Sequence, residues 1–299
     1  TRGAEFDNCD IIARPNEVIP PSHLRKDYGN RTDIFFCNFG TPWMPGLKRK
    51  IALNDNEKFY KDIKLVVGSA IKAGLKNFYK IRTYDIDRTK CNSTHKQVCL
   101  ESDIIFMCLP TPMRKDGSCD TRILELAVRE VDLAVYQHVH RPALVIKSTV
   151  PPSTTERLNA MTSYCDVCFS PEFLTEANSF EDFKNQSRII IGGTGAKKVK
   201  QMFRKPFPDI PIVVTKSETA EMVKYFTNCF LATKVTFANQ MYEICENTGI
   251  DYDKVCEYAL YDDRIGKSHL AVPGPDGDRG FGGHCFPKDL TAMINFSDG

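Results

Sequence analysis

The chain has 299 residues, of which 42% are hydrophobic and 26% are charged. This is enough apolar material for one large or two ordinary globular domains, and it excludes a disordered chain. Forty Lys and Arg against 38 Asp and Glu leave a formal net charge of +2. No field of one sign is therefore available to hold nucleic acid or an anionic membrane, and a small-molecule partner is expected.

The expected compartment follows from the N-terminus and the cysteines. No apolar run approaches the roughly 20 residues that span a bilayer, and the start TRGAEFDNCD does not resemble a signal peptide. Twelve cysteines are too few for a disulfide scaffold in a chain of this length, so we expect reduced thiols in a cytoplasmic protein. Cys165 and Cys168 have a metal-like spacing but no second pair, so packing in a strand is favoured and no metal is predicted.

Residues 1–62 carry many Asn, Asp, Pro and Arg residues and remain unassigned. Residues 63–215 then alternate short β-rich runs with helical stretches. Near-continuous apolar runs predict strands that are buried on both faces, and residues 121–139 show the spacing of a crossover helix. This order predicts a doubly wound, Rossmann-like α/β domain with a mostly parallel sheet, whose ligands sit at the carboxyl ends of the strands. The predicted strands lie at 103–109, 143–147, 167–169, 188–192 and 211–215.

One long unbroken helix is predicted from about Ser217 to Asn247, with Gly249 just past its end. It is too long for an ordinary sheet-covering helix, so it predicts a second, central helical domain over residues 216–299. Its apolar stripe would be exposed in an isolated chain, and we therefore expect a homodimer or a higher homo-oligomer.

Part of a dinucleotide-binding pattern is present. Residues 81–84 are predicted to form a strand that ends in Asp85, where an acid can bind ribose hydroxyls, and basic Lys90 lies just beyond. Of the glycine turn that would hold a pyrophosphate, only Gly68 is found at the expected place. An acid at a strand end is also a common turn former, so both interpretations of Asp85 stay open.

Polar side chains follow three of the predicted strands. Thr111 follows the first, Ser148 and Thr149 follow the second, and Glu172 and Glu176 follow the third. These residues are expected at the mouth of the sheet, where a nicotinamide could lie, although ordinary turn chemistry explains the hydroxyls equally well. Two carboxylates at one cleft favour a general base.

The long helix and the C-terminal segment carry the remaining candidates. Lys224 and Asn228 lie four residues apart on one helical face among apolar neighbours, where a lysine is costly unless it is used. In RGFGGHCFPKDL at 279–290, glycines let a backbone approach a ligand, and Cys285 stands beside basic side chains at a helix start. Cys285 is a candidate nucleophile with Asp289 on its helical face, and a buried structural cysteine is the alternative.

Together these stretches resemble the UDP-glucose/GDP-mannose dehydrogenase family, and within it the UDP-glucose branch more than its rivals. The motifs follow the order of the family. They are LPTP at 109–112, KSTVPPST at 147–154, SPEFLTEA at 170–177, RIIIGG at 188–193, AEMVKYFTNCFLATKVTFANQ at 220–240, DRIG at 263–266 and GFGGHCFPKD at 280–289.

The resemblance implies an NAD-dependent, four-electron oxidation of the C6 alcohol of a nucleotide sugar to a carboxylate, as in the conversion of UDP-glucose to UDP-glucuronate. It implies that Cys285 attacks the C6 aldehyde and carries first a thiohemiacetal and then a thioester. Lys224 would stabilise the oxyanion, with Asn228 as a second hydrogen-bond donor. The dehydrogenase interpretation therefore requires the sulfur of Cys285 and the ammonium of Lys224 to act on one carbon.

The resemblance also assigns Glu172 to thioester hydrolysis, and Asp289 and Thr149 to holding the catalytic water. The NAD contacts it implies are Gly68, Asp85, Lys90, Thr111, Ser148, Glu176 and Lys288. The residues it implies for the sugar-nucleotide site are Phe173, Leu174, Arg264, Phe281 and Gly282, and in this family Arg264 can reach into a neighbouring subunit.

Two departures from the family leave alternatives open. The glycine turn is incomplete, and the family continues beyond CFPKD with a nucleotide-binding domain, so the chain is expected to be a fragment. The alternatives are a GDP-mannose 6-dehydrogenase and a non-catalytic remnant of the fold that no longer binds NAD.

Overall fold

A computed structural model describes residues 71, 74–85, 87–136, 141–174, 178–275, 277–282 and 285–298. The unassigned segment 1–62 and the predicted NAD contacts Gly68 and Glu176 lie outside these ranges. The chain divides into two compact units between Lys224 and Tyr225, and each unit is described by itself.

The first unit contains the sheet and its covering helices. Its strands are β1 at Ile104–Met107, β2 at Ala143–Ile146, β3 at Asp166–Phe169, β4 at Ile189–Gly193 and β5 at Ile212–Thr215. Its helices are α1 at His95–Glu101, α2 at Arg122–Ala134, α3 at Thr154–Ala160, α4 at Ser179–Lys184 and α5 at Ala196–Arg204, together with a 3-10 turn at Arg88–Lys90.

The five described strands form one sheet in the order β1-β2-β3-β4-β5. Strands β1, β2 and β3 are parallel, β4 runs antiparallel to β3, and β5 is parallel to β4. The predicted Rossmann-like α/β fold with a mostly parallel sheet is confirmed. The carboxyl ends of β1, β2 and β3 consequently share one edge, whereas β4 and β5 point the other way.

The burial of the strands follows their place in the sheet. Every residue of β2 is buried, and its alternate side chains enter two core clusters, Leu144 and Ile146 in one and Ala143 and Val145 in the other. The prediction of burial on both faces is wrong for β5, because the described residues leave uncovered two successive side chains, which point to opposite faces of the sheet. Its Val213 and Val214 are 47% and 43% exposed.

The segment predicted as a strand before Asp85 pairs with no described strand. The backbone of Thr83 bonds instead to the turn that follows. Asn92 N and Ser93 N both donate to Thr83 O, at 3.1 and 3.2 Å, and Thr83 N donates to Asn92 Oδ1 at 2.7 Å. A loop therefore replaces the ladder at this point.

The long helix α6 spans Ser217–Thr248, 32 residues, close to the predicted limits. Helix α7 at Tyr252–Ala259 and helix α8 at Cys285–Asp298 follow it. A small core of Ala238, Cys245, Tyr252 and Val272 holds this second unit together. Among the residues that the structure describes, no helix combines the length and the apolar composition that crossing a membrane requires.

Candidate active site

The loops that follow β1 and β2 are bonded to each other. Leu109 N donates to Ser148 Oγ at 2.9 Å, and this hydroxyl donates back to Leu109 O. Thr111 Oγ1 donates to Thr149 O at 2.8 Å. The predicted hydroxyls Thr111 and Ser148 therefore lie at the carboxyl edge of the sheet, and in this structure they join two strand ends.

Two lysines converge on the segment that follows β3. Lys147, at the end of β2, donates from Nζ to Pro171 O at 3.1 Å. Lys224, on the first part of α6, donates from Nζ to Glu172 O at 2.7 Å. The two lysines are only 6% and 9% exposed, so consecutive carbonyls are held by two buried ammonium groups from different elements.

The carboxyl group of Glu172 is enclosed at the same place. Its Oε2 is buried and finds no hydrogen-bond partner among the described residues. Burial raises the pKa of Glu172, and the positive charges of Lys147 and Lys224 oppose this rise. The group therefore keeps its proton to a higher pH than an ordinary glutamic acid, as suits a base that works near neutral pH.

Phe173 and Leu174 continue the same segment. The ring of Phe173 has the guanidinium of Arg188 at 4.2 Å and Nζ of Lys224 at 5.7 Å from its centroid, within the range of cation–π attraction. Leu174 packs against the core cluster that contains Ala143 and Val145 of β2. Two cations thus face an aromatic ring at the mouth of the sheet.

Asp85 is only 8% exposed. Its backbone is held by Cys91, whose Sγ accepts from Asp85 N and donates to Asp85 O, both at 3.1 Å. Asp87 N donates to Asp85 Oδ1 at 2.9 Å, and Asp87 in turn pairs with Lys90 at 3.2 Å. The carboxylate is therefore oriented before any ligand arrives, which fits a ribose acceptor.

In the second unit, α6 and α8 bring three predicted residues together. Asn228 Nδ2 donates to Asp289 Oδ2 at 2.5 Å, and Lys288 Nζ lies 2.5 Å from Asp289 Oδ1. Asp289 is 1% exposed and Asn228 is 6% exposed. Each oxygen of this buried carboxylate is therefore satisfied, one by an amide and the other by an ammonium.

Cys285 is the first residue of α8 and is exposed. The segment before it is anchored by Gly280, which has φ +85° and donates from its N to Asn239 Oδ1 at 3.0 Å. The ring of Phe281 meets that of Phe286 edge to face at 6.3 Å, and a Cβ on Gly282 would have no neighbour within 4 Å. The thiol thus stands at a helix N-terminus, where exposed amide groups favour negative charge.

Arg264 is exposed, and Asp262 holds its guanidinium. The contacts are Nε to Oδ1 at 2.9 Å and Nη2 to Oδ2 at 2.5 Å, and the pair lowers the pKa of Asp262. The guanidinium stays accessible from solvent.

Two family profiles match most of the described chain. Residues 56–207 match the profile described as the NAD binding domain of the UDP-glucose/GDP-mannose dehydrogenase family. Residues 218–298 match the profile of its central domain. The chain belongs to this family. The match confirms the predicted family and the predicted cofactor, NAD.

Curated members of this dehydrogenase family are similar in sequence. The UDP-glucose 6-dehydrogenase TuaD of Bacillus subtilis is 35% identical over 206 residues, which are 66% of this chain and 42% of that protein. The UDP-glucose 6-dehydrogenase of Rickettsia conorii is 34% identical over 250 residues, 81% of this chain and 55% of that protein. The chain thus spans about half the length of the curated relatives it matches.

Solved structures of the family have the same fold. A UDP-glucose dehydrogenase from Pyrobaculum islandicum is 30% identical, with a TM-score of 0.61 over 94% of this chain and 57% of that one. A GDP-mannose dehydrogenase from Pseudomonas aeruginosa is 26% identical, with a TM-score of 0.53 over 79% of this chain and 58% of that one.

Two buried charged residues, Lys147 and Glu221, are not predicted as site residues from the sequence. Lys147 was counted only as the end of a strand, and Glu221 only as a residue of the long helix. A lysine directly after the apolar run at 143–146 was the available signal for Lys147, since a charged group is rarely buried without a partner. Glu221 gave no local signal, because its partner is Thr155, which is remote in sequence.

Proposed function

We propose that this chain serves the NAD-dependent, four-electron oxidation of the C6 alcohol of a nucleotide sugar to a carboxylate, with UDP-glucose as substrate and UDP-glucuronate as product. The observation that carries the proposal is the buried ammonium of Lys224, which lies 2.7 Å from Glu172 O beside the carboxyl edge of the parallel strands. The names of the curated relatives favour UDP-glucose over GDP-mannose.

The described residues fit NAD at its adenosine ribose. Asp85 is oriented by Cys91 and Asp87, as a carboxylate that accepts from two ribose hydroxyls must be. Lys90 pairs with Asp87, two residues after Asp85, and Thr111 and Ser148 mark the edge of the sheet on which a nicotinamide would rest. When bound, NAD would supply the hydride-accepting chemistry for both oxidations.

The side chains of this protein supply the covalent and acid–base chemistry. The Cys285 sulfur adds to the carbonyl carbon of the C6 aldehyde: a carbon–sulfur bond forms, the electron pair of the C=O π bond moves to oxygen, and that oxygen takes up the proton that the thiol releases. The aldehyde therefore cannot escape before its second oxidation. Lys224 stabilises the negative oxygen that develops, and Asn228 donates a second hydrogen bond. An ammonium has three donors, of which the carbonyl of Glu172 takes one.

Hydrolysis of the thioester then needs a base and an ordered water. Glu172 accepts the proton of that water, because its buried carboxyl has a raised pKa and therefore takes up protons readily. The water oxygen bonds to C6, the carbon–sulfur bond breaks, and Cys285 leaves as the thiolate while the carboxylate product is released. Asp289 and Thr149 hold the water. We assign the sugar-nucleotide site to Phe173, Leu174, Phe281, Gly282 and Arg264. We assign contacts with NAD to Lys288 and Glu176.

The thiol is tested by replacing Cys285 with Ser. We expect the formation of NADH from UDP-glucose, two per substrate in the unaltered protein, to fall by at least about 10³-fold, because a serine hydroxyl is a far weaker nucleophile near neutral pH. Cys256→Ser is the matched control, since Cys256 is a partly buried thiol on α7 with no role in the proposal. Equal loss in both variants, or none in Cys285→Ser, would overturn the assignment.

Two further measurements separate the alternatives. Titration of NAD against the chain distinguishes a dehydrogenase, for which micromolar binding is expected, from a remnant of the fold, for which binding is millimolar or absent. Activity with UDP-glucose and with GDP-mannose, compared at equal concentration, identifies the substrate. Preference for GDP-mannose would contradict the UDP-glucose assignment and leave the thiol chemistry in place.

A further inference from the structure

Lys147 is a buried cation that the proposed reaction does not use. It directly follows β2, its side chain is 6% exposed, and its Nζ donates to Pro171 O at 3.1 Å. One neutral carbonyl does not compensate for removing an ammonium from water. Burial therefore lowers the pKa of Lys147, and a negative group nearby opposes this effect.

The groups that face Lys147 include this negative group. They are the carboxyl of Glu172, the ammonium of Lys224 and the thiols of Cys108 and Cys168. Burial raises the pKa of both thiols to about 12, so they carry no charge at neutral pH. Glu172 is consequently the one ionisable acid among these groups that can balance Lys147.

The reverse relation also holds. The buried carboxyl of Glu172 is faced by two cations, and Lys147 opposes the rise of its pKa more than Lys224 does. Lys224 in turn is the group that the proposed reaction assigns to the substrate oxygen. An ammonium that is engaged with a developing oxyanion is less able to compensate a second negative charge beside it.

We propose that Lys147 is a positioning residue for Glu172: it fixes the backbone at Pro171, next to Glu172, and places an ammonium group near the buried carboxyl while Lys224 serves the substrate. The proposal rests on the proposed function of the same site. The two buried lysines then have different roles: Lys147 positions Glu172, and Lys224 contacts the reacting oxygen.

The first test measures the coupling without any catalysis. The unfolding constants of the unaltered chain, Lys147→Met, Glu172→Gln and the double variant form a thermodynamic cycle. Lys147→Met should raise the unfolding constant in both backgrounds, but the factor should be about tenfold smaller in Glu172→Gln than in the unaltered chain. The reason is that Glu172→Gln leaves no carboxylate without its cation. Additive effects would overturn the proposal, whether or not the chain proves active.

The second test measures the pH dependence of kcat. Without Lys147 the pKa of Glu172 rises further, so the base is ionised only at higher pH. The acidic limb of the profile of Lys147→Met should therefore move to higher pH by about one unit, and Lys147→Arg should restore its position. If Lys147 were only structural, Lys147→Met would lower kcat by the same factor at every pH and would not shift the acidic limb. That result would overturn the proposal.

A matched control is available on α5. Lys198 Nζ also donates to a backbone carbonyl, Arg141 O, at 3.1 Å, but it is exposed there. Lys198→Met should show no coupling to Glu172→Gln in the unfolding constants and should leave the acidic limb of the kcat profile in place. Where Lys147→Met does not fold, Lys147→Gln takes its place in both tests. Absence of turnover in the unaltered protein would defeat the proposed function alone, since the unfolding cycle still decides whether Lys147 and Glu172 are coupled.

Discussion

Buried charges in this protein differ in how completely they are satisfied. Asp289 is 1% exposed and bonds through one oxygen to Asn228 and through the other to Lys288. Glu172, by contrast, keeps a buried Oε2 for which the described residues provide no donor. A carboxylate with both oxygens bonded is fixed in place, whereas burial without a donor raises the pKa of Glu172. This contrast supports a water-holding role for Asp289 and a proton-accepting role for Glu172.

A prediction at the residue scale concerns Asp85. Asp85→Asn should weaken the binding of NAD by about tenfold, because a neutral amide forms weaker hydrogen bonds to ribose hydroxyls than a carboxylate does. Titration calorimetry with NAD measures the effect. Asp116→Asn is the control, since Asp116 is exposed and accepts hydrogen bonds from Ser118 within its own turn. Equal binding by Asp85→Asn and the unaltered chain would refute the assignment of Asp85.

At the scale of elements, the first part of α6 organises the loop after β2. Ser153, the N-cap residue of α3, has φ +70° and provides no side-chain cap. The cap comes instead from Glu221, whose Oε1 accepts from Thr155 N at 2.7 Å. Glu221 is 0% exposed and lies three residues before Lys224. One turn of α6 therefore fixes both the loop that carries Thr149 and the lysine assigned to the oxyanion.

Glu221→Gln tests this cap through the pH dependence of stability. Burial raises the pKa of Glu221, although hydrogen bonds from Thr155 and Ser153 oppose the rise. Above the ordinary glutamic acid pKa of 4.5 the unfolded chain has released this proton while the folded chain still holds it. The folded state then binds more protons, so its stability falls as the pH rises up to the folded pKa.

The free energy of unfolding of Glu221→Gln, relative to the unaltered chain, should therefore increase as the pH rises through this window. Chemical denaturation at a series of pH values measures it. Glu218→Gln is the control on the same turn of α6, because Glu218 is partly exposed and pairs only loosely with Lys216, at 3.6 Å. A pH-independent difference for Glu221→Gln would show that its carboxyl is not titrating as proposed.

On the scale of the whole molecule, α6 presents an exposed apolar stripe. Phe226, Phe230, Phe237 and Ile244 are 70%, 56%, 58% and 53% exposed. The rings of Phe226 and Phe230 stack at 6.3 Å with their planes 6° apart. Apolar side chains repeated along one helix favour a helical partner. We therefore propose that this stripe forms a homodimer with a second copy of the chain.

Phe230→Glu tests this surface. The charge should raise the dissociation constant of the dimer by at least about tenfold, because a carboxylate would be buried in an apolar interface. Sedimentation velocity over a range of concentrations measures the change. Tyr261→Glu is the control, since Tyr261 is 78% exposed but lies beyond α7. A monomeric unaltered chain, or a dimer that Phe230→Glu leaves intact, would exclude the stripe as the interface.

Much of the fold was predictable because its signals are local. The predicted limits of the long helix, residues 217–247, differ from those of α6 by one residue at the C-terminal end. The agreement is close because helical periodicity can be seen within one continuous stretch of sequence. The apolar runs that became β1 to β5 were also recognised, but the exposure of β5 was not. Whether the side chains of an apolar strand are buried depends on what packs on the two faces of the sheet, and the strand's own sequence does not show this.

The candidate site divides in the same way. The sequence by itself determined the family, the fold class and the residue types, because motifs such as PEFLTE and CFPKD are contiguous and their order follows the family. Only the tertiary structure decided which groups meet. Pro171 and Glu172 meet Lys147 and Lys224 through the parallel register of β2 and β3 and the position of α6. Such contacts depend on distances between segments far apart in the chain, and burial then decides how the groups titrate.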